Sequence, residues 1–161
     1  MWLACQRVFP ARPDTGQPLY HEVLLRMRDE AGGIVPPMAF IPAAERYHLM
    51  ERVDRWVVTE TLAFLGATEW DPEQAVFAIN LSGQTLSGEG FLEFVLGRLE
   101  ASGVPPRLLC FEVTETAAVA SLAVAQRFIS ALRARGCRFA LDDFGSGLSS
   151  FAYLKSLDVD F

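Results

Sequence analysis

At 161 residues, 51% hydrophobic and 21% charged, with a formal net charge of −6, the chain has a globular composition with apolar residues enough for a sizeable core. Acid outnumbers base and no run of Lys and Arg occurs, which argues against binding polymeric nucleic acid through its phosphates. Cys5, Cys110 and Cys137 are dispersed, odd in number and without a CxxC pair, which argues against structural zinc and a disulfide framework. His21 and His48 are too few for a histidine-based metal site and read as structural. No apolar stretch is long enough to span a bilayer, and the N-terminus lacks a signal-peptide core. A cytoplasmic location is therefore expected, with membrane tethering of a longer parent protein left open.

In chain order, residues 3–9 read as a strand and residues 10–18 as a breaker-rich turn. Residues 19–26, LYHEVLLR, read as a second strand. It carries Glu22 inside an apolar run, where a functional role competes with an ordinary ion pair to Arg26 or Arg28. Pro36-Pro37 is expected to block helix formation until after Pro42. Residues 43–65 then show a helical stripe through Leu49, Val53, Trp56, Val57 and Phe64, with Gly66 as terminator. The run VFAINL at 76–81 is a buried strand ending at Asn80-Leu81-Ser82, followed by a Gly/Ser loop and a helix through Phe91, Leu92, Val95, Leu96 and Leu99. LLCFEV at 108–113 is the next strand, carrying Glu112 and, just past its end, Glu115. A helix through Leu122, Ala125, Phe128, Ile129 and Leu132 stops at Gly136.

Phe139-Ala140-Leu141 then delivers two adjacent carboxylates, Asp142 and Asp143, into a loop carrying Gly145 and Gly147. Two neighbouring aspartates share a target only where the backbone leaves the sheet and turns. Like charges a few Å apart repel by roughly 3 kcal/mol at an effective dielectric of about 20, so the pair needs protons, a cation or water. A divalent metal site and a solvated acidic turn both fit this segment alone. Beyond it, residues 149–157 form a short helix candidate and residues 159–161 begin a further strand.

Polar groups recur at or near strand ends, at Asn80, Glu112 and Asp142, at the spacing of about 30 residues that a βα unit occupies. Alternating units imply a parallel sheet with right-handed crossovers, so these ends point the same way. The expected fold is α/β, a TIM-like (β/α)8 barrel, preferred to an open doubly wound sheet because acids recur on successive strands. A barrel typically takes about 250 residues, so this chain is expected to hold roughly the first five or six strands.

Five segments stand in register: Glu22-Val23-Leu24-Leu25-Arg26, Phe40-Ile41-Pro42-Ala43-Ala44-Glu45, Asn80-Leu81-Ser82, Glu112-Val113-Thr114-Glu115 and Asp142-Asp143-Phe144-Gly145-Ser146-Gly147. Together they resemble the EAL domain, the bacterial phosphodiesterase that linearises cyclic di-GMP, over essentially the whole chain. The resemblance implies a modified TIM barrel using two Mg²⁺ or Mn²⁺ ions to convert cyclic di-GMP to pGpG. By resemblance, Glu22, Asn80, Glu112 and Asp142 are metal ligands and Asp143 a ligand of the second ion, oxygen donors of the kind hard cations prefer. Glu115 orients the loop after Asp143, Gln6 and Arg26 contact the ligand and its phosphate, and Leu24 lies against the nucleotide.

Val23 stands where the name-giving motif has alanine. The family continues beyond Phe161 with a strand bearing a lysine, and later strands add a glutamate and a glutamine. Residues 1–161 are thus expected to be the N-terminal and central part of one EAL domain, with an open sheet edge and little activity alone. The alternatives are an EAL-type cyclic di-GMP receptor without hydrolysis and an unrelated metal-dependent barrel enzyme. Expected partners are cyclic di-GMP, a second copy in a homodimer, and sensory or diguanylate cyclase domains in the parent protein.

Overall fold

The structure, a computed structural model, describes residues 1–10, 16, 18–143 and 157–161. Strand β1 (Trp2–Val8) pairs antiparallel with β2 (Leu19–Arg28), from Trp2 opposite Arg26 to Val8 opposite Tyr20. The two-residue β3 (Ile34–Val35) folds back on the end of β2. Gly33 N–H donates to Asp29 Oδ1 at 2.7 Å in the turn between them. Helices α1 (Pro37–Arg46) and α2 (Met50–Gly66) lead to β4 (Ala75–Leu81), which lies parallel to β2. Helices α3 (Gly83–Leu86) and α4 (Phe91–Ser102) precede β5 (Leu109–Thr114). Helices α5 (Glu115–Ala120) and α6 (Leu122–Arg133) precede β6 (Arg138–Asp142).

The strand order is β1-β2-β4-β5-β6, with β4, β5 and β6 each parallel to the strand before it in that order. Such an order never reverses, so the sheet has no topological switch point, and right-handed crossovers put the helices on one face. Side chains from α2, α4 and α6 accordingly share one core with Val23, Phe77, Ile79, Phe111, Val113 and Phe139. That is the winding of a TIM-like barrel with its wall still open. A small separate cluster of Val76, Ala78, Cys110 and Ala140, with Tyr20 against it, covers the other face. Burial on both faces explains why β4 and β5 read as continuous apolar runs.

Residues 159–161, expected to begin a strand, pair with β6. Asp160 N donates to Phe139 O at 2.8 Å and Leu141 N to Phe161 O at 3.0 Å. Arg133 on α6 holds this segment through ion pairs to Asp158 and Asp160. The helix candidate at 149–157 falls largely outside the described residues. Among them, no helix is long and apolar enough to cross a membrane.

One expectation is corrected. Helix α1 begins at Pro37 instead of after Pro42, because a proline in the first turn lacks only an N–H that has no partner inside the helix. Pro42 sits inside α1. The stripe at 43–65 is therefore two helices, divided at His48, which adopts a left-handed φ of 54°. Leu49 N returns to Ala44 O at 2.8 Å and His48 N to Glu45 O at 3.1 Å, the paired bonds of a Schellman cap.

Candidate active site

Residues of a strand alternate between faces, so the polar positions sharing a face follow from the register. Gln6 stands opposite Glu22, and Asn80 opposite Glu112. Their chain neighbours Val23, Ile79, Leu81, Phe111 and Val113 belong to the helix-packed core. Gln6, Glu22, Asn80, Glu112 and Asp142 therefore share the face opposite the core that α2, α4 and α6 pack. Glu22 is level with Ala78, two residues below Asn80, and Asp142 is level with Thr114, two residues above Glu112. The polar positions thus climb across the sheet as tilted strands of a barrel require.

The structure bonds two of these side chains to each other and brings Tyr20 to a third. Asn80 Nδ2 donates to Glu22 Oε1 at 3.0 Å, and among the described residues nothing donates to Asn80 Oδ1. Tyr20 donates to Glu112 Oε1 at 2.7 Å. Among the described residues Glu22 forms no ion pair with Arg26 or Arg28. Arg26 donates to Leu25 O at 3.0 Å and Arg28 lies 4.9 Å from the centre of the Trp2 ring. Burial pushes the Glu112 carboxyl above the ordinary range. The bond from Tyr20 pulls it back, and the charges of Glu22 and Asp142 push it further up.

These carboxylates feel one another, among the described residues no basic side chain is bonded to Glu22 or Glu112, and every donor is oxygen, the chemistry that fits a hard dication. Among the described residues, no three His, Cys, Asp or Glu side chains already lie close enough to ligate one ion. Asp142 and Asp143 are both exposed, and the turn between strand and loop falls on Asp143 itself, at a left-handed φ of 54°. Aspartate tolerates that conformation better than most residues. Gly145 and Gly147, assigned to the turn from sequence, lie outside the described residues.

A cavity of about 300 Å³ opens beside these side chains, bordered by Leu24, Arg26, Glu45, Asn80, Ser82 and Glu112. Gln6 is exposed across from Glu22. Glu115, 3% exposed, opens α5, while the loop it is expected to orient lies outside the described residues. Strands β4 and β5 each end on a capping hydroxyl. Ser82 Oγ accepts from Thr85 N at 3.1 Å and Thr114 Oγ1 from Ala117 N at 3.3 Å.

Two residues escaped sequence reasoning. Asp54 of α2, 3% exposed, accepts from Ser82 N at 3.0 Å and so fastens the turn just after Asn80. Its signal was a charge within a buried stretch, Asp54 beside Val57, Val58 and Thr61. Tyr20 gave none, since its partner is distant in sequence. His21 is structural as expected, stacked 4.8 Å from Phe77. Cys110 and Cys137 are buried and free, with thiols that burial pushes up to about 12.

The EAL domain profile matches residues 10–161 of this chain. The chain belongs to the EAL domain family. It is 39% identical over 140 residues to Cyclic di-GMP phosphodiesterase PdeB of Shewanella oneidensis, covering 87% of this chain and 16% of that protein. It is 36% identical over 152 residues to Cyclic di-GMP phosphodiesterase PdeF of Escherichia coli, covering 93% of this chain and 20% of that protein. The FimX EAL domain from Pseudomonas aeruginosa, solved bound to c-di-GMP, superposes with a TM-score of 0.86 at 33% identity, over 99% of this chain and 63% of that one. This EAL chain thus spans about a fifth or less of the length of those two phosphodiesterases. EAL phosphodiesterases are generally dependent on a divalent metal.

Proposed function

We propose that this chain is the N-terminal and central part of a single EAL domain that, when complete, hydrolyses cyclic di-GMP to linear pGpG. The observation that carries the reading is the set Glu22, Asn80, Glu112 and Asp142, displayed on one sheet face with the Glu22–Asn80 bond at 3.0 Å. Two Mg²⁺ or Mn²⁺ ions are the proposed cofactors, one held by that set and one by Asp143. Bound there, dications supply charge neutralisation for the phosphodiester and activation of water.

The chain's own residues do the positioning. Arg26 offsets phosphate charge, Leu24 supports the nucleotide, Gln6 contacts the ligand from β1, and Glu115 orients the loop after Asp143. The proposed setting is cytoplasmic and homodimeric, with sensory or diguanylate cyclase domains in the parent protein.

The test is incubation of the full-length protein with cyclic di-GMP and Mg²⁺, following pGpG by chromatography. Hydrolysis that EDTA abolishes and Glu22→Gln lowers by at least about 100-fold is expected, as for loss of a charge-stabilising group. Binding without hydrolysis would replace this reading with that of a receptor.

A further inference from the structure

On the sheet face that carries Glu22, Asn80 and Glu112, Val76, Ala78, Cys110 and Ala140 form an apolar floor, and Tyr20 packs against it. The Tyr20 ring meets Phe161 edge-on, with centroids 5.3 Å apart. Its hydroxyl lies 2.7 Å from Glu112 Oε1 and 3.4 Å from Cys110 Sγ. A phenol has one proton, and the carboxylate is the stronger acceptor, so the bond to Glu112 is the charge-assisted one. Ala78 stands on the strand between, at the level of Glu22, and its small side chain leaves room for the ring to reach across. Filling an apolar floor requires no hydroxyl, and a hydroxyl taken out of water costs stability unless it is bonded. Glu112 Oε2 has no hydrogen-bond partner among the described residues.

We propose that Tyr20 is a positioning residue for Glu112: its hydroxyl fixes Oε1 and thereby presents Oε2 to the divalent cation. The inference rests on reading Glu112 as a cation ligand. Partners that orient metal ligands typically contribute about 10- to 100-fold in metal affinity.

The test is Mn²⁺ affinity of the purified protein, measured from the electron paramagnetic resonance signal of free Mn²⁺. The variants are Tyr20→Phe, Tyr20→Leu, Glu112→Gln and the double variant Tyr20→Phe/Glu112→Gln. Tyr20→Phe keeps the whole ring and is expected to weaken binding about 10-fold. Tyr20→Leu, which drops ring and hydroxyl together, should lose the same factor. In the Glu112→Gln background, Tyr20→Phe should change nothing further, because the two groups act as one. Wild-type affinity in Tyr20→Phe alongside weakened binding in Glu112→Gln overturns the role of Tyr20 alone. Retention in Tyr20→Phe with loss in Tyr20→Leu assigns the effect to packing and also overturns it. Equal Mn²⁺ affinity in wild type and Glu112→Gln removes the ligand reading, and this proposal with it.

Discussion

Asp54 is a carboxylate in the middle of a helix, 3% exposed, whose bonds all serve the turn that follows β4. Burial raises its pKa above the ordinary 3.8, and hydrogen bonds from Thr85 and Ser82 oppose the rise without cancelling it. The sign follows from linkage. A carboxyl that holds its proton more tightly in the folded state favours folding at acid pH, and that advantage is lost as pH rises through the folded-state pKa. Urea unfolding of wild type and Asp54→Asn between about pH 4 and pH 7 should therefore diverge, wild type losing stability relative to the variant as pH rises. Parallel curves would show that Asp54 titrates alike in folded and unfolded chains. Neither Asp54 nor Tyr20 was legible as a site residue, because each acquires its partner only when distant segments of the chain meet.

At the scale of elements, the long strands were legible because burial on both faces writes itself as unbroken apolar runs, as in AVFAINL and LCFEVT. The short helices α3 and α5 were not, since neither is long enough to show a period. They depend instead on single caps by Ser82 and Thr114. The break between α1 and α2 was hidden for a different reason. Its left-handed position is held by His48, not glycine, and the apolar stripe continues across it. A left-handed conformation costs a non-glycine residue about 1–2 kcal/mol, so His48→Gly, which keeps both cap bonds, should stabilise the protein by about 1 kcal/mol. The denaturant midpoint checks this, and an unchanged or lower midpoint would mean that the His48 side chain contributes as much as its backbone costs.

At the scale of the molecule, consecutive strands add in one direction while α2, α4 and α6 pack on one side, and the other sheet face carries the polar strand positions. A doubly wound sheet would have covered that face with helices and moved the site to a crevice at one edge. Glu22, inside its strand, was singled out as a ligand only by the family resemblance, whereas the placement of Asn80, Glu112 and Asp142 was legible as a recurrence of about one polar strand end per βα unit. The stagger that sets Glu22 two residues below Asn80, and Asp142 two residues above Glu112, was not, because register depends on pairing between strands. A cation shared by Glu22, Asn80, Glu112 and Asp142 is what would draw these staggered donors together. The most direct measurement is an anomalous-scattering map from crystals of the protein grown with Mn²⁺. The account predicts a peak ligated by Glu22, Asn80, Glu112 and Asp142, whereas well-ordered side chains at those positions with no peak among them, or a peak elsewhere, would contradict it.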